Sequence, residues 1–276
     1  MTRLSGPQQR FPDAREDLRH WRDAPDTPQT RSPSYRLAFS DPDFLTRDEL
    51  RPVRLQLELL KPEMALAERG IVSTVILLGS ARIPAPDLPG GSGTSAPTRA
   101  VALTPWYEQA RRFAYLTAER AKATGNREFV VCTGGGPGIM EAGNRGAAEA
   151  DGISISLNIV LPHEQAPNRW STPELAFNFH YFAIRKMHFL MRARAIAVFP
   201  GGFGTLDEFF EVLTLVQTGR MERLPIVMFG RAFWDRVIDW QALVEAGTIA
   251  PEDPGLVTHV ETAEEAWAAI DAFPGG

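Results

Sequence analysis

Short apolar runs that end in glycine constrain this chain more than any other feature. Thr74-Val75-Ile76-Leu77-Leu78 ends in Gly79-Ser80, and Phe129-Val130-Val131-Cys132-Thr133 runs into Gly134-Gly135-Gly136-Pro137-Gly138. A third run, Ala195-Ile196-Ala197-Val198-Phe199, leads into Pro200-Gly201-Gly202. None shows the polar alternation of a half-solvated strand, so each predicts a strand buried on both faces. Further runs at 153–161, 176–182, 225–229 and 257–260 alternate with helical patterns at 106–124, 139–150, 203–218, 234–245 and 263–272. Such alternation predicts an α/β fold, a doubly wound parallel sheet with helices on both faces. Ligands in such sheets bind at the carboxyl ends of the strands. Gly79-Ser80, Thr133–Gly138 and Pro200–Thr205 all leave strands in that direction and are expected to meet at one rim.

The pattern differs ahead of this alternation. Residues 1–40 are rich in Pro, Arg, Asp, Gln and Ser and lack sustained periodicity, which predicts a flexible arm or a segment that packs on a partner subunit. From Thr46 to Glu68, Leu50, Val53, Leu57, Leu60, Met64 and Ala67 recur near helical spacing, a helix expected to dock on the domain that follows. Pro62 should kink or divide it. The expected organisation is an arm over 1–40, a helical extension over 41–70 and one domain over 71–276. Residues 83–105 hold five prolines and the run Gly90-Gly91-Ser92-Gly93, which reads as a loop suited to a mobile lid.

Most of the chemistry lies in Pro200-Gly201-Gly202-Phe203-Gly204-Thr205-Leu206-Asp207-Glu208. A helix that starts straight after a glycine turn presents its first free N–H groups to whatever lies above, a ready anion site. Phosphate is the natural guest, with Gly201, Gly202, Gly204 and Thr205 as its binding residues. Glu208 would repel a phosphate unless it has chemistry to do; the plainer alternative is that Asp207 and Glu208 only favour the helix dipole. Gly134, Gly135 and Gly136 form a second turn of the same kind, read either as a ligand contact or as close packing of helix on sheet. Arg185-Lys186 stands at the start of a helix, where the dipole disfavours cations, so it calls for a carboxylate or phosphate partner or else is a solvated pair.

Several classes are excluded or disfavoured. The second turn lacks the Gly-x-Gly-x-x-Gly spacing of dinucleotide sites and the Gly-Lys-Ser/Thr of a P-loop. There is no Gly-x-Ser-x-Gly elbow, and His163, His180 and His188 fit no metal-ligand spacing, so they read as structural or surface residues. The only cysteine, Cys132, reads as core filler. A net charge of −5 argues against general nucleic-acid binding. No apolar run approaches the ~18 residues of a membrane span, and the polar start lacks a signal-peptide core, so a cytoplasmic location is expected. Only Lys61, Lys122 and Lys186 are available for a Schiff base.

On both glycine turns and Arg185-Lys186, the chain resembles the LOG family, the cytokinin-activating nucleoside 5′-monophosphate phosphoribohydrolases once labelled "lysine decarboxylase-like". The resemblance covers about residues 70–272. Pro200–Glu208 matches the family's Pro-Gly-Gly-x-Gly-Thr-x-x-Glu throughout, and Arg185-Lys186 matches its basic pair. Gly134–Glu141 is similar to the longer bacterial branch related to nucleotide nucleosidases. Phe189 departs from a frequent methionine, a change expected in the base pocket. The resemblance implies a Rossmann-like domain that hydrolyses the N-glycosidic bond of a nucleoside 5′-monophosphate, such as AMP or a cytokinin ribotide, to free base and ribose 5-phosphate. It implies no cofactor and no metal, and at least a homodimer. Glu208 and Arg185 become the expected catalytic residues, with Gly79, Ser80, Gly134, Gly135, Gly136, Lys186, Gly201, Gly202, Gly204 and Thr205 around the substrate. A nucleotide-binding regulator without turnover is the competing reading, since it would need the glycine turn but not Glu208. A pyridoxal-phosphate decarboxylase would need Lys186 as its Schiff base.

Overall fold

The computed structural model describes residues 13–86, 102–162 and 166–274, and its contacts divide the chain into two compact units, up to Glu58 and from Leu59 onward. The first unit holds α1 (Ala14–Arg22), α2 (Pro42–Leu45) and the opening turns of α3 (Arg51–Glu68). The flexible-arm reading therefore fails for Ala14–Arg22. No residue of α1 is buried, but Asp13 accepts a hydrogen bond from the Arg15 N–H, acids occupy its first turn and Arg19, His20 and Arg22 its last. Capping and the helix dipole hold it, and these leave no apolar periodicity to read. Pro62 does not divide α3, which runs unbroken; Pro62 and Leu66 are its buried residues, and that burial offsets the backbone hydrogen bond a proline removes. The periodic stripe faces solvent instead, with Val53, Leu57, Leu60 and Met64 all exposed.

In the second unit, seven strands form one parallel sheet: β1 (Thr74–Leu78), β2 (Val130–Thr133), β3 (Ser154–Ile159), β4 (Ala176–Phe179), β5 (Ala193–Val198), β6 (Ile226–Phe229) and β7 (Thr258–Val260). The helices between them are α4 (Thr104–Ala123), α5 (Ile139–Glu149), α6 (Phe182–Leu190), α7 (Phe203–Gln217), α8 (Arg231–Trp234), α9 (Trp240–Glu245) and α10 (Ala263–Asp271). The pattern at 234–245 divides into α8 and α9, because Asp239 caps a new helix by accepting from the Ala242 N–H at 3.0 Å. Alternate strand residues point to opposite faces. Ile76, Leu78, Ile155, Leu157, Ile196 and Val198 pack with Phe189 of α6 and Phe209 and Val212 of α7. Val75, Leu77, Val131, Ala195 and Ala197 pack on the other side with Phe113 of α4, Ala142 of α5 and Trp267 of α10. The architecture is α/β, Rossmann-like and doubly wound.

The strand order is β4-β3-β2-β1-β5-β6-β7. The chain winds outward from β1 to β4, then returns to β1's other side with β5. The winding direction reverses between β1 and β5, and a crevice at such a switch point is where ligands enter. No helix among the described residues is long and apolar enough to cross a membrane. Residues 87–101, most of the expected lid, and His163 lie outside the described residues.

Candidate active site

Three loops converge at the switch point. The Ser80 N–H donates to the Pro200 carbonyl and the Ser80 carbonyl accepts from the Ile139 N–H, both at 3.1 Å, so the turn after β1 ties the other two together. Gly138 permits this approach. Its φ is +69°, and a Cβ there would lie 2.3 Å from the Ser80 carbonyl oxygen. Gly79 lies against Ile139, whose side chain a Cβ would meet at 2.6 Å, so close helix–sheet packing alone accounts for that glycine.

After β5, Gly202 caps α7 with no side-chain hydrogen bond. The first intrahelical bond runs from the Leu206 N–H to the Gly202 carbonyl, so the N–H groups of Phe203, Gly204 and Thr205 start the helix with no intrahelical acceptor and none among the other described residues. Gly202 and Gly204 border open space, while Gly201 packs against the buried Thr205 side chain. Phe203, between the two open glycines, is 94% exposed. This is the geometry of a helix N-terminal anion site.

Glu208 stands one turn further along α7. Its Oε1 accepts a 3.0 Å hydrogen bond from Arg185 Nη2, and the two side chains are only 11% and 16% exposed. No described residue donates to Oε2. Beneath the carboxylate, Ile76, Leu78, Phe189, Ile196 and Val212 line a cavity of about 10 Å³, room for about one water. Burial in this apolar setting pushes the Glu208 carboxyl up to about 7; Arg185 and Lys186 pull it down, and Asp207 and Glu211 push it up. A carboxyl near neutrality is suited to both accepting and returning a proton.

Arg185 rises from the middle of α6 between the rings of Phe182 and Phe189, at 5.3 and 5.5 Å. Its Nη1 donates to the Leu157 carbonyl at 3.4 Å and is the atom that a Cβ on Gly134 would meet at the same distance. The Gly134 turn, Arg185 and Glu208 thus form one contiguous group. Burial leaves Arg185 Nε without a hydrogen-bond partner.

Two expected site residues fall elsewhere. Lys186 Nζ is held by Asp207 at 3.1 Å and Glu211 at 2.9 Å, so its charge is engaged along α7 rather than at the cradle. Phe189 is buried in the core beneath Arg185 and Glu208. Cys132 is buried as expected, and burial raises its thiol pKa. Asn144, Asn158 and Asn168, absent from the sequence reading, surround the Gly134–Gly136 turn. They come from three separate elements with no motif spacing, so only the fold reveals them.

A family model described as "Possible lysine decarboxylase" matches residues 140–270. A bifunctional cytokinin biosynthesis protein of Fusarium pseudograminearum (strain CS3096) is 34% identical over 76 residues, covering 27% of this chain and 16% of that protein. Among solved structures, TM1055 is similar at 19% identity and a TM-score of 0.48, over 73% of this chain and 99% of its own. The molybdenum cofactor binding protein of Rippkaea orientalis is similar at 18% identity and a TM-score of 0.45, over 72% and 96%.

Proposed function

We propose that the chain is a LOG-family enzyme that hydrolyses the N-glycosidic bond of nucleoside 5′-monophosphates, giving free base and ribose 5-phosphate. One observation carries the proposal: a carboxyl of raised pKa, held by a single arginine bond, one helical turn from a helix N-terminus with no side-chain cap. A 5′-phosphate on the Phe203–Thr205 N–H groups leaves the ribose to reach toward Glu208. Cleavage at C1′ builds positive charge on the sugar, as in other glycoside hydrolyses. Glu208, through the free Oε2, stabilises that charge, takes the proton of the attacking water and returns it to the departing base. The C1′–N bond is thereby replaced by a C1′–OH bond and an N–H bond. Arg185 orients Glu208 and keeps part of the carboxyl population ionised at neutral pH. Lys186 acts at one remove, through Asp207 and Glu211.

A Glu208→Gln protein should bind AMP but release adenine at least about a thousandfold more slowly, as loss of an essential acid–base group costs. Undiminished release would remove Glu208 from the mechanism. Wild-type protein that binds nucleotides and releases no base from AMP, GMP, CMP or UMP would be the regulator instead. We further propose a homodimer built on α6 and α7, where Phe182, Met187, Met191, Phe203 and Phe210 are exposed between 37% and 94%.

A further inference from the structure

We infer that Asn168 is a positioning residue, which clamps the Gly135–Gly136 turn so that the Gly136 N–H donates into the substrate site. Its Nδ2 donates to the carbonyls of Gly135 and Gly136, both at 3.1 Å, and to Asn144 Oδ1 at 2.8 Å. The Asn168 N–H adds a 2.8 Å bond to the same Gly135 carbonyl. Asn144 is fixed in turn, accepting from Thr133 Oγ1 and donating to Ser154 Oγ, both at 2.8 Å. Thr133 Oγ1 closes the ring by accepting from the Gly135 N–H at 3.0 Å.

In a trans peptide the carbonyl and the following N–H point opposite ways. With the Gly135 carbonyl drawn down onto Asn168, the Gly136 N–H points away from that network, and no described residue accepts from it. Pro137 has no N–H, so Gly136 supplies the only donor of these two clamped peptides. Its neighbour Gly134 lies against Arg185, so the clamped turn sits beside the Arg185–Glu208 pair, the end of the site where the proposed reaction places the ribose. The turn cannot take this shape with another residue at 135. Its φ is +72°, and a Cβ would lie 2.4 Å from Asn158 Oδ1.

The inference rests on the nucleotide reading of the site, and the test separates the two. Calorimetric binding of AMP, GMP, CMP and UMP, with base release alongside, would be measured for wild type, Asn168→Ala, Asn168→Asp and Ser171→Ala. Ser171 serves as control because it bonds Ser156 at 2.6 Å from the same segment without touching the turn. Both Asn168 variants should weaken binding about tenfold, the cost of one misplaced donor, and raise KM alike while kcat stays within about twofold. Aspartate keeps the shape but presents oxygens to three acceptors, so it should fail like alanine. Ser171→Ala should bind like wild type even if it is less stable. Asn168→Asp behaving as wild type, equal losses in Ser171→Ala, or a fall in kcat with unchanged affinity would each overturn the assignment. Nucleotide binding without base release would defeat the hydrolase reading alone, and a wild type that binds none of the four would defeat both.

Discussion

Replacing Glu208 by glutamine tests the electrostatics of the site apart from any substrate. Burial lifts its carboxyl from the ordinary 4.5 to about 7, while the unfolded chain returns it to the ordinary range. Between those pH values the folded protein keeps a proton that the unfolded chain has released. Folded stability therefore falls as pH rises through this window, and the full cost is present above pH ~7. At about 1.4 kcal/mol per pH unit, the interval amounts to about 3 kcal/mol. Near pH 4, wild type and Glu208→Gln both carry a neutral side chain against Arg185, and their stabilities should agree within about 1 kcal/mol. At pH 8 the variant should be more stable by about 3 kcal/mol, or about 6–12 °C in Tm for a domain of this size. Thermal or urea unfolding of both proteins at pH 4, 6 and 8 measures this directly. A difference independent of pH would refute the reasoning. So would a wild type that gains on the variant as pH rises, because Arg185 would then outweigh burial and hold the carboxyl below its ordinary value.

Three further outcomes probe the neighbouring parts. Gly204→Asp places a carboxylate in open space on the first turn of α7, where the dipole stabilises it by about 0.5 kcal/mol while it occupies the phosphate position. AMP affinity should fall about tenfold or more with no loss of Tm, and unchanged affinity would move the phosphate elsewhere. Lys186→Met should leave the KM for AMP within about twofold yet move the midpoint of the pH–rate profile upward, because Lys186 lowers the Glu208 pKa. A large rise in KM would return Lys186 to the substrate. Met187→Glu puts a charge on the exposed face of α6 and should convert a dimer to monomers in light scattering; unaltered mass would exclude that face.

The central strands were legible because β1, β2, β5 and β6 each bury a largely apolar run on both faces, while β3 and β4 show a period-two alternation that also reads as strand. The proposed anion site was legible for a similar reason: glycines, threonine and carboxylate fall within eight residues of one strand–helix turn, so local geometry brings them together whatever surrounds them. Helix α1 was not, since capping and charge order at Asp13–Arg22 carry no apolar period. The exposed stripe on α3 misled in the opposite way, because helical spacing predicts a helix but not what its apolar side meets.

From the sequence alone came the parallel α/β sheet, the rim where its glycine turns gather, and the pairing of a glycine-turn helix start with Glu208. The fold alone decided how those parts act. It set Arg185 against Glu208 across 23 residues of chain and left Lys186 bound to Asp207 and Glu211. It also brought Asn168 under a glycine turn 33 residues away. The physical reason is range. Backbone preference and burial period act over one turn or one strand, whereas the pKa of a carboxyl and the aim of a peptide N–H depend on groups that only packing brings within a few ångströms.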